Sequence, residues 1–176
     1  MIFESGRVTA EGLIEGNDND ADASRFEPHY TEIKATEEVQ IYESILSDQR
    51  GGVTTGLLTA VDYLKDNRLL PRGFDKASAD RDIAVRGDAA GDADFVGGSD
   101  RIRYSIDTAG ASGPFTVEAE LLYTPIGFRW ARNLEPYPQD EPAVSQSITA
   151  RCLQAPPRWW PGARRSRARY WRVLMP

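Results

Sequence analysis

The chain has 176 residues and a formal net charge of −6, divided very unevenly. Residues 1–150 carry 14 basic side chains and all 27 acidic ones, a net of −13, while residues 151–176 carry seven arginines and no acid. A body of that charge repels phosphate, which argues against nucleic acid and anionic lipid as partners, and no run reaches the ~18 apolar residues of a membrane helix.

The chain opens on Ile2-Phe3-Glu4-Ser5-Gly6, which reads as the end of a strand, with no signal peptide before it. Next comes Gly16-Asn17-Asp18-Asn19-Asp20-Ala21-Asp22. Asp18, Asp20 and Asp22 offer hard oxygens at the i, i+2, i+4 spacing that calcium loops favour. It is no EF-hand: Ala23 stands where the loop needs glycine and His29 where it needs glutamate. The competing reading is a solvated turn, in which Asn and Asp bond their own backbone. His29, the single histidine, cannot build a multi-histidine metal site, and a packed or strand-edge residue is the expectation.

Val39, Ile41 and Ile45 alternate with polar neighbours as a half-buried strand does, and Ser47–Gly52 closes it as a turn. Residues 53–65 fit a helical face and a strand, with Thr54, Thr55 and Gly56 favouring strand. Asn67 and Pro71 stop either element. A short strand is expected at Asp82–Arg86, then a loop over Gly87–Asp100, where Asp88, Asp92 and Asp94 form a second candidate cation cluster.

The strongest pattern lies at 100–124. Ile102, Tyr104 and Ile106 alternate with polar residues, a small-residue turn follows, and Phe115, Val117, Ala119 and Leu121 alternate again. Pairing them as a hairpin puts Ile102 opposite Ala119, Tyr104 opposite Val117 and Ile106 opposite Phe115. The same register sets Arg103 against Glu118 and Arg101 against Glu120. Ile126–Trp130 is expected as a last strand. The architecture that follows is all-β: an antiparallel two-sheet β-sandwich of the jelly-roll or immunoglobulin-like kind over residues 1–135, truncated at its N-terminus.

Residues 136–150 read as a linker from Pro136, Pro138 and Pro142. Residues 151–176 hold three of the four tryptophans and the one cysteine, Cys152. Their Arg/Trp/Pro composition is that of a basic-aromatic binding arm, or of a GC-rich strand read out of frame. The expectation is a disordered or non-native tail, left out of fold reasoning.

No catalytic signature emerges. Glu118 and Glu120 share a strand face, but arginine partners would lower both pKa values where a general acid needs one raised. Gly97-Gly98-Ser99-Asp100-Arg101 lacks the second glycine of a nucleophile elbow. Phe128, Trp130, Tyr123 and Tyr137 could line a sugar-stacking face, although aromatics at strand spacing more often form core.

From Phe3 to about Asn133 the chain resembles the C-terminal β domain appended to multihaem c-type cytochrome-like proteins of bacterial periplasms. The resemblance rests on Phe3-Glu4-Ser5-Gly6, the 16–22 run, Val39-Gln40-Ile41-Tyr42-Glu43, Lys65 through Asp75, and Ala119-Glu120-Leu121-Leu122-Tyr123. It implies a non-enzymatic accessory or interaction domain of a periplasmic or extracellular electron-transfer protein, its partner being a cytochrome-type domain. Haem would belong to that partner, since this chain has no Cys-x-x-Cys-His unit, and calcium is the only candidate ion of its own. A domain short of its first strands would leave an open sheet edge, a route to self-association. A carbohydrate- or surface-binding module is the alternative.

Overall fold

A computed structural model describes residues 1–9, 13–17, 19, 22–124 and 126–133; the linker and tail expected over 136–176 lie outside them. Strands are few and short: β1 (Glu32–Ile33), β2 (Ser44–Ser47), β3 (Val53–Thr54), β4 (Asp62–Asp66) and β5 (Arg103–Tyr104). One short helix, α1 (Phe128–Arg132), follows.

The central element is an antiparallel sheet in the order β3-β2-β4. The β2–β3 turn follows its composition, as Asp48 Oδ1 accepts the amides of Arg50 (2.8 Å) and Gly52 (2.9 Å). β2 alternates as a half-buried strand should, with Ile45 and Ser47 inward. Between β2 and β4 the register shifts: Ile45 faces Lys65 while Leu46 faces Tyr63, leaving Leu64 as the extra residue of a bulge. Beyond the bulge, Lys65 and Asp66 are both buried although they are adjacent. Arg86 then bridges the outer edge of β4 at Asp66, with both backbone bonds at 3.1 Å. Gly87 follows at φ 72°, where a Cβ would lie 3.0 Å from Leu64 O, so only glycine lets this chain lie on β4.

The expected two-sheet sandwich does not form. The second sheet is a two-residue parallel ladder of β1 with β5, and the 100–124 hairpin is absent. Arg103 N donates to Thr31 O (3.0 Å) and Ser105 N to Ile33 O (2.9 Å), so these backbone donors are committed to β1. Its intended apolar face stays wet: Tyr104 is 41% exposed, Val117 57% and Tyr123 77%. Arg101 pairs with Asp94 (3.4 Å) instead of Glu120.

Four other expected strands change. Val39–Glu43 forms no ladder because side chains occupy its backbone: Ile41 O accepts Lys65 Nζ (2.9 Å) and Asn67 Nδ2 (3.0 Å), and Asn67 Oδ1 takes Glu43 N (2.9 Å). Residues 53–65 are strand at each end, with a turn closed by Thr59 N and Ala60 N on Gly56 O (3.0 Å each). Asp82–Arg86 becomes a 3₁₀ turn at Arg81–Ile83, and Ile126–Trp130 begins α1.

The interior follows from this. Among the described residues Ile33, Ile45, Val85, Ala89 and Phe95 are the buried apolar side chains, against Glu27, His29, Ser47, Lys65, Asp66 and Asn67 as buried polar ones. With polar groups this numerous inside, cohesion depends on their hydrogen bonds as much as on apolar contact. No described helix is long and apolar enough to cross a membrane.

Candidate functional site

The polar interior centres on His29. Its ring packs against Phe95 (centroids 5.0 Å apart), which stacks on Tyr42 at 6.4 Å. Nδ1 meets Gln40 Nε2 (2.8 Å) and Asn67 Nδ2 (3.0 Å), and Nε2 meets Asp92 Oδ2 (3.1 Å). Asp100 Oδ2 stands 4.0 Å from Nε2 and accepts the Tyr42 hydroxyl at 2.6 Å.

The tautomer follows from the partners. Gln40 Oε1 accepts Tyr30 N (2.8 Å), which turns Nε2 toward the imidazole. Asn67 Oδ1 accepts Glu43 N and its Nδ2 also reaches Ile41 O, so that amide is fixed too. Two N–H donors therefore converge on Nδ1, which must accept, and the ring proton sits on Nε2, donating to Asp92. Burial raises the Asp92 carboxyl, but the Asp94 amide (2.8 Å) and His29 outweigh it and leave the group below its ordinary range.

His29, Asp92 and Asp100 place one ligand atom each within 4.8 Å of one another, close enough for a metal ion. The donor set does not suit one. A ligating Nε2 must shed its proton and pass it to Nδ1, where two amide N–H groups already point. In this arrangement the cluster is a pin joining four segments: Pro28–Tyr30, Gln40–Tyr42, the end of β4, and the 92–100 loop.

Lys65 is a second buried polar group. Its Nζ reaches Ile41 O and Glu43 Oε1 (3.1 Å), and burial lowers its pKa against the pull of Glu43. A cleft of ≈ 130 Å³ lies beside it, lined by Phe26, Pro28, His29, Leu64, Lys65 and Asp88 among others. A wider one, ≈ 430 Å³, opens across β4 between Leu57, Val61, Tyr63, Arg81 and Arg86.

Of the calcium ligands expected from sequence, Asp18 and Asp20 lie outside the described residues. Asp22 Oδ1 accepts Ser24 N (2.8 Å) and Ser24 Oγ (2.7 Å), a local turn that holds its carboxyl below the ordinary range. The backbone of the same loop does bind a cation, the Arg129 guanidinium of α1. It donates to Asn19 O (3.2 Å), Asp22 O (3.4 Å), Ala23 O (3.2 Å) and Arg25 O. Arg129→Ala is expected to release α1 from the loop at a cost of about 1–2 kcal/mol. Faster amide exchange over residues 128–133 would register the release, and unchanged protection would refute the latch.

The second expected cluster does not assemble. Asp92 turns inward to His29, Asp94 pairs with Arg101 at the surface, and Asp88 is exposed. Glu118 and Glu120 are exposed as well. Of the aromatic set, Tyr123 is exposed, Phe128 lies under the Arg132 guanidinium at 5.5 Å, and Tyr137 lies outside the described residues. Asp100, Tyr42, Gln40 and Asn67 had no local signal as partners of His29, since each is remote from it in sequence.

Compared with protein-family models, curated proteins and solved structures, the chain finds no match.

Proposed function

We propose that this chain is a non-catalytic accessory and interaction domain that works beside a periplasmic c-type cytochrome. One observation carries the reading: two of the five stretches on which the cytochrome-domain resemblance rests supply partners to the buried polar network around His29. Val39–Glu43 contributes Gln40, Ile41, Tyr42 and Glu43, and Lys65–Asp75 contributes Lys65 and Asn67. Their chemistry goes into holding loops. His29, the one histidine of the chain, has both ring nitrogens engaged and offers a general-base role to no neighbouring hydroxyl.

Its mechanism is positioning: loops pinned from inside present a fixed surface to a haem-bearing partner, which carries the electrons. The sugar-binding alternative lacks a row of exposed coplanar rings among the described residues.

The test begins with the DNA on either side of this reading frame. Cys-x-x-Cys-His units encoded there define the partner, and the two purified proteins are expected to co-elute on gel filtration. Absence of haem motifs nearby, or separate elution of the two proteins, would refute the association.

A further inference from the structure

Glu27 is the least explained group in the molecule. It is 3% exposed, and its Oε1 accepts the side-chain amides of both Asn17 and Asn19. Its Oε2 is buried and makes no hydrogen bond. A buried carboxylate oxygen without a partner is costly enough that proteins rarely keep one.

The nearby cations do not answer it. Lys65 feels the Glu27 charge, yet its ammonium is bonded to Ile41 O and Glu43. Arg129 spends its donors on the loop carbonyls. Negative charge also accumulates here: the Tyr30 phenol is pushed up by burial first, then by hydrogen bonding to Glu27 and by its charge, with smaller contributions from Glu38 and Glu37. Tyr30 thus stands near Glu27, though without a hydrogen bond of normal geometry to Oε2. Asn17 Nδ2 donates to Glu37 O (3.0 Å), which places that carbonyl at the same spot.

We propose that Glu27, with Asn19 and the Glu37 carbonyl, forms a calcium site. Glu27 and the Glu37 carbonyl are hard oxygen donors, and Asn19 becomes one by presenting Oδ1 in place of Nδ2; Asn17, whose Oδ1 accepts the Asn19 amide (2.8 Å), keeps its orientation and positions Glu27 Oε1 and the Glu37 carbonyl. An irregular loop suits the six to eight flexible ligands of calcium better than the strict octahedron of magnesium. Glu27 is the anchor because it supplies a buried carboxylate oxygen without a hydrogen-bond partner, and no residue of the spacing-based set does this among those described. The ion would satisfy Oε2 and tie the loop to the Thr36–Glu38 turn.

The experiment uses the full chain after dialysis against a chelator, melted with calcium alone, with magnesium alone and with neither. Millimolar calcium is expected to raise the midpoint by about 5 °C, and magnesium by clearly less. Glu27→Gln is expected to abolish the calcium shift, whereas Asp88→Asn, at an exposed carboxylate, is expected to keep it. Should Glu27→Gln not fold, Asn19→Ala replaces it, with weaker calcium binding by titration calorimetry as the expected result. A wild-type chain indifferent to calcium overturns the site, as does a Glu27→Gln variant shifted like the wild type or an Asn19→Ala variant binding as tightly. None of these outcomes depends on a cytochrome partner.

Discussion

Phe95→Ala is expected to cost about 3–5 kcal/mol, the range for emptying a fully buried aromatic position. Phe95 is 0% exposed and, with Val85 and Ala89, forms the small buried apolar cluster that Tyr42 and Leu70 flank. Three neighbours depend on its ring: His29 tilts against one part of it, Tyr42 stacks on it, and the Lys76 ammonium lies 5.9 Å from its centroid. Lys76 is itself held by Ala89 O (3.1 Å) and Asp92 O. Few apolar side chains are near enough to collapse into the space, so water would reach the His29–Asp92 bond. Phe95→Leu keeps most of the volume and is expected to cost less than half as much. Urea denaturation of both variants checks this; equal, small losses would mean that the ring does not organise the cluster.

The legible parts of the molecule were those with local causes. Asp48-Gln49-Arg50-Gly51-Gly52 makes a turn because an aspartate side chain can bond the backbone two to four residues onward, and it does so here. Asn67 was readable as a stop signal, and β4 does end one residue before it. What could not be read was that its amide ends the strand by bonding His29, Ile41 and Glu43. Packing of His29 was expected; its partners, from Gln40 to Asp100, were not, because no spacing rule links residues that distant in sequence.

The alternation at 102–106 and 115–121 is genuine in the sequence and misleading about the fold. Period-2 patterning records which residues would share a face if a strand formed, and says nothing of which edge the strand meets. The winning edge is β1, two residues long and below any pattern threshold, while Pro114 has no N–H to give to a ladder. Spacing drew attention to Asp18, Asp20 and Asp22, whereas the buried, unmatched oxygen belongs to Glu27, which sits in Phe26-Glu27-Pro28 without a signature of its own.

Asn67→Asp is the sharper test of the polar interior, with an expected loss of about 3–5 kcal/mol despite the near-identical shape. Asn67 is 0% exposed and uses every arm: Nδ2 to His29 Nδ1 and to Ile41 O, Oδ1 to Glu43 N. A carboxylate keeps the last bond and turns the other two into contacts between lone pairs. A tautomer switch at His29 offers no rescue, since Nδ1–H would then face the Gln40 Nε2–H, whose orientation Tyr30 N fixes. The introduced carboxyl is buried, so its pKa in the folded state should stand above the unfolded value of about 4. A raised folded pKa means that the folded variant binds the extra proton. The penalty is therefore smallest below about pH 4 and grows to its full size as pH rises through the folded value. Denaturation midpoints of variant and wild type at pH 4.5 and pH 7.5 should show that divergence. Equal gaps at the two values, or a loss below about 1 kcal/mol at neutral pH, would mean that Asn67 is not the donor on which the His29 network depends.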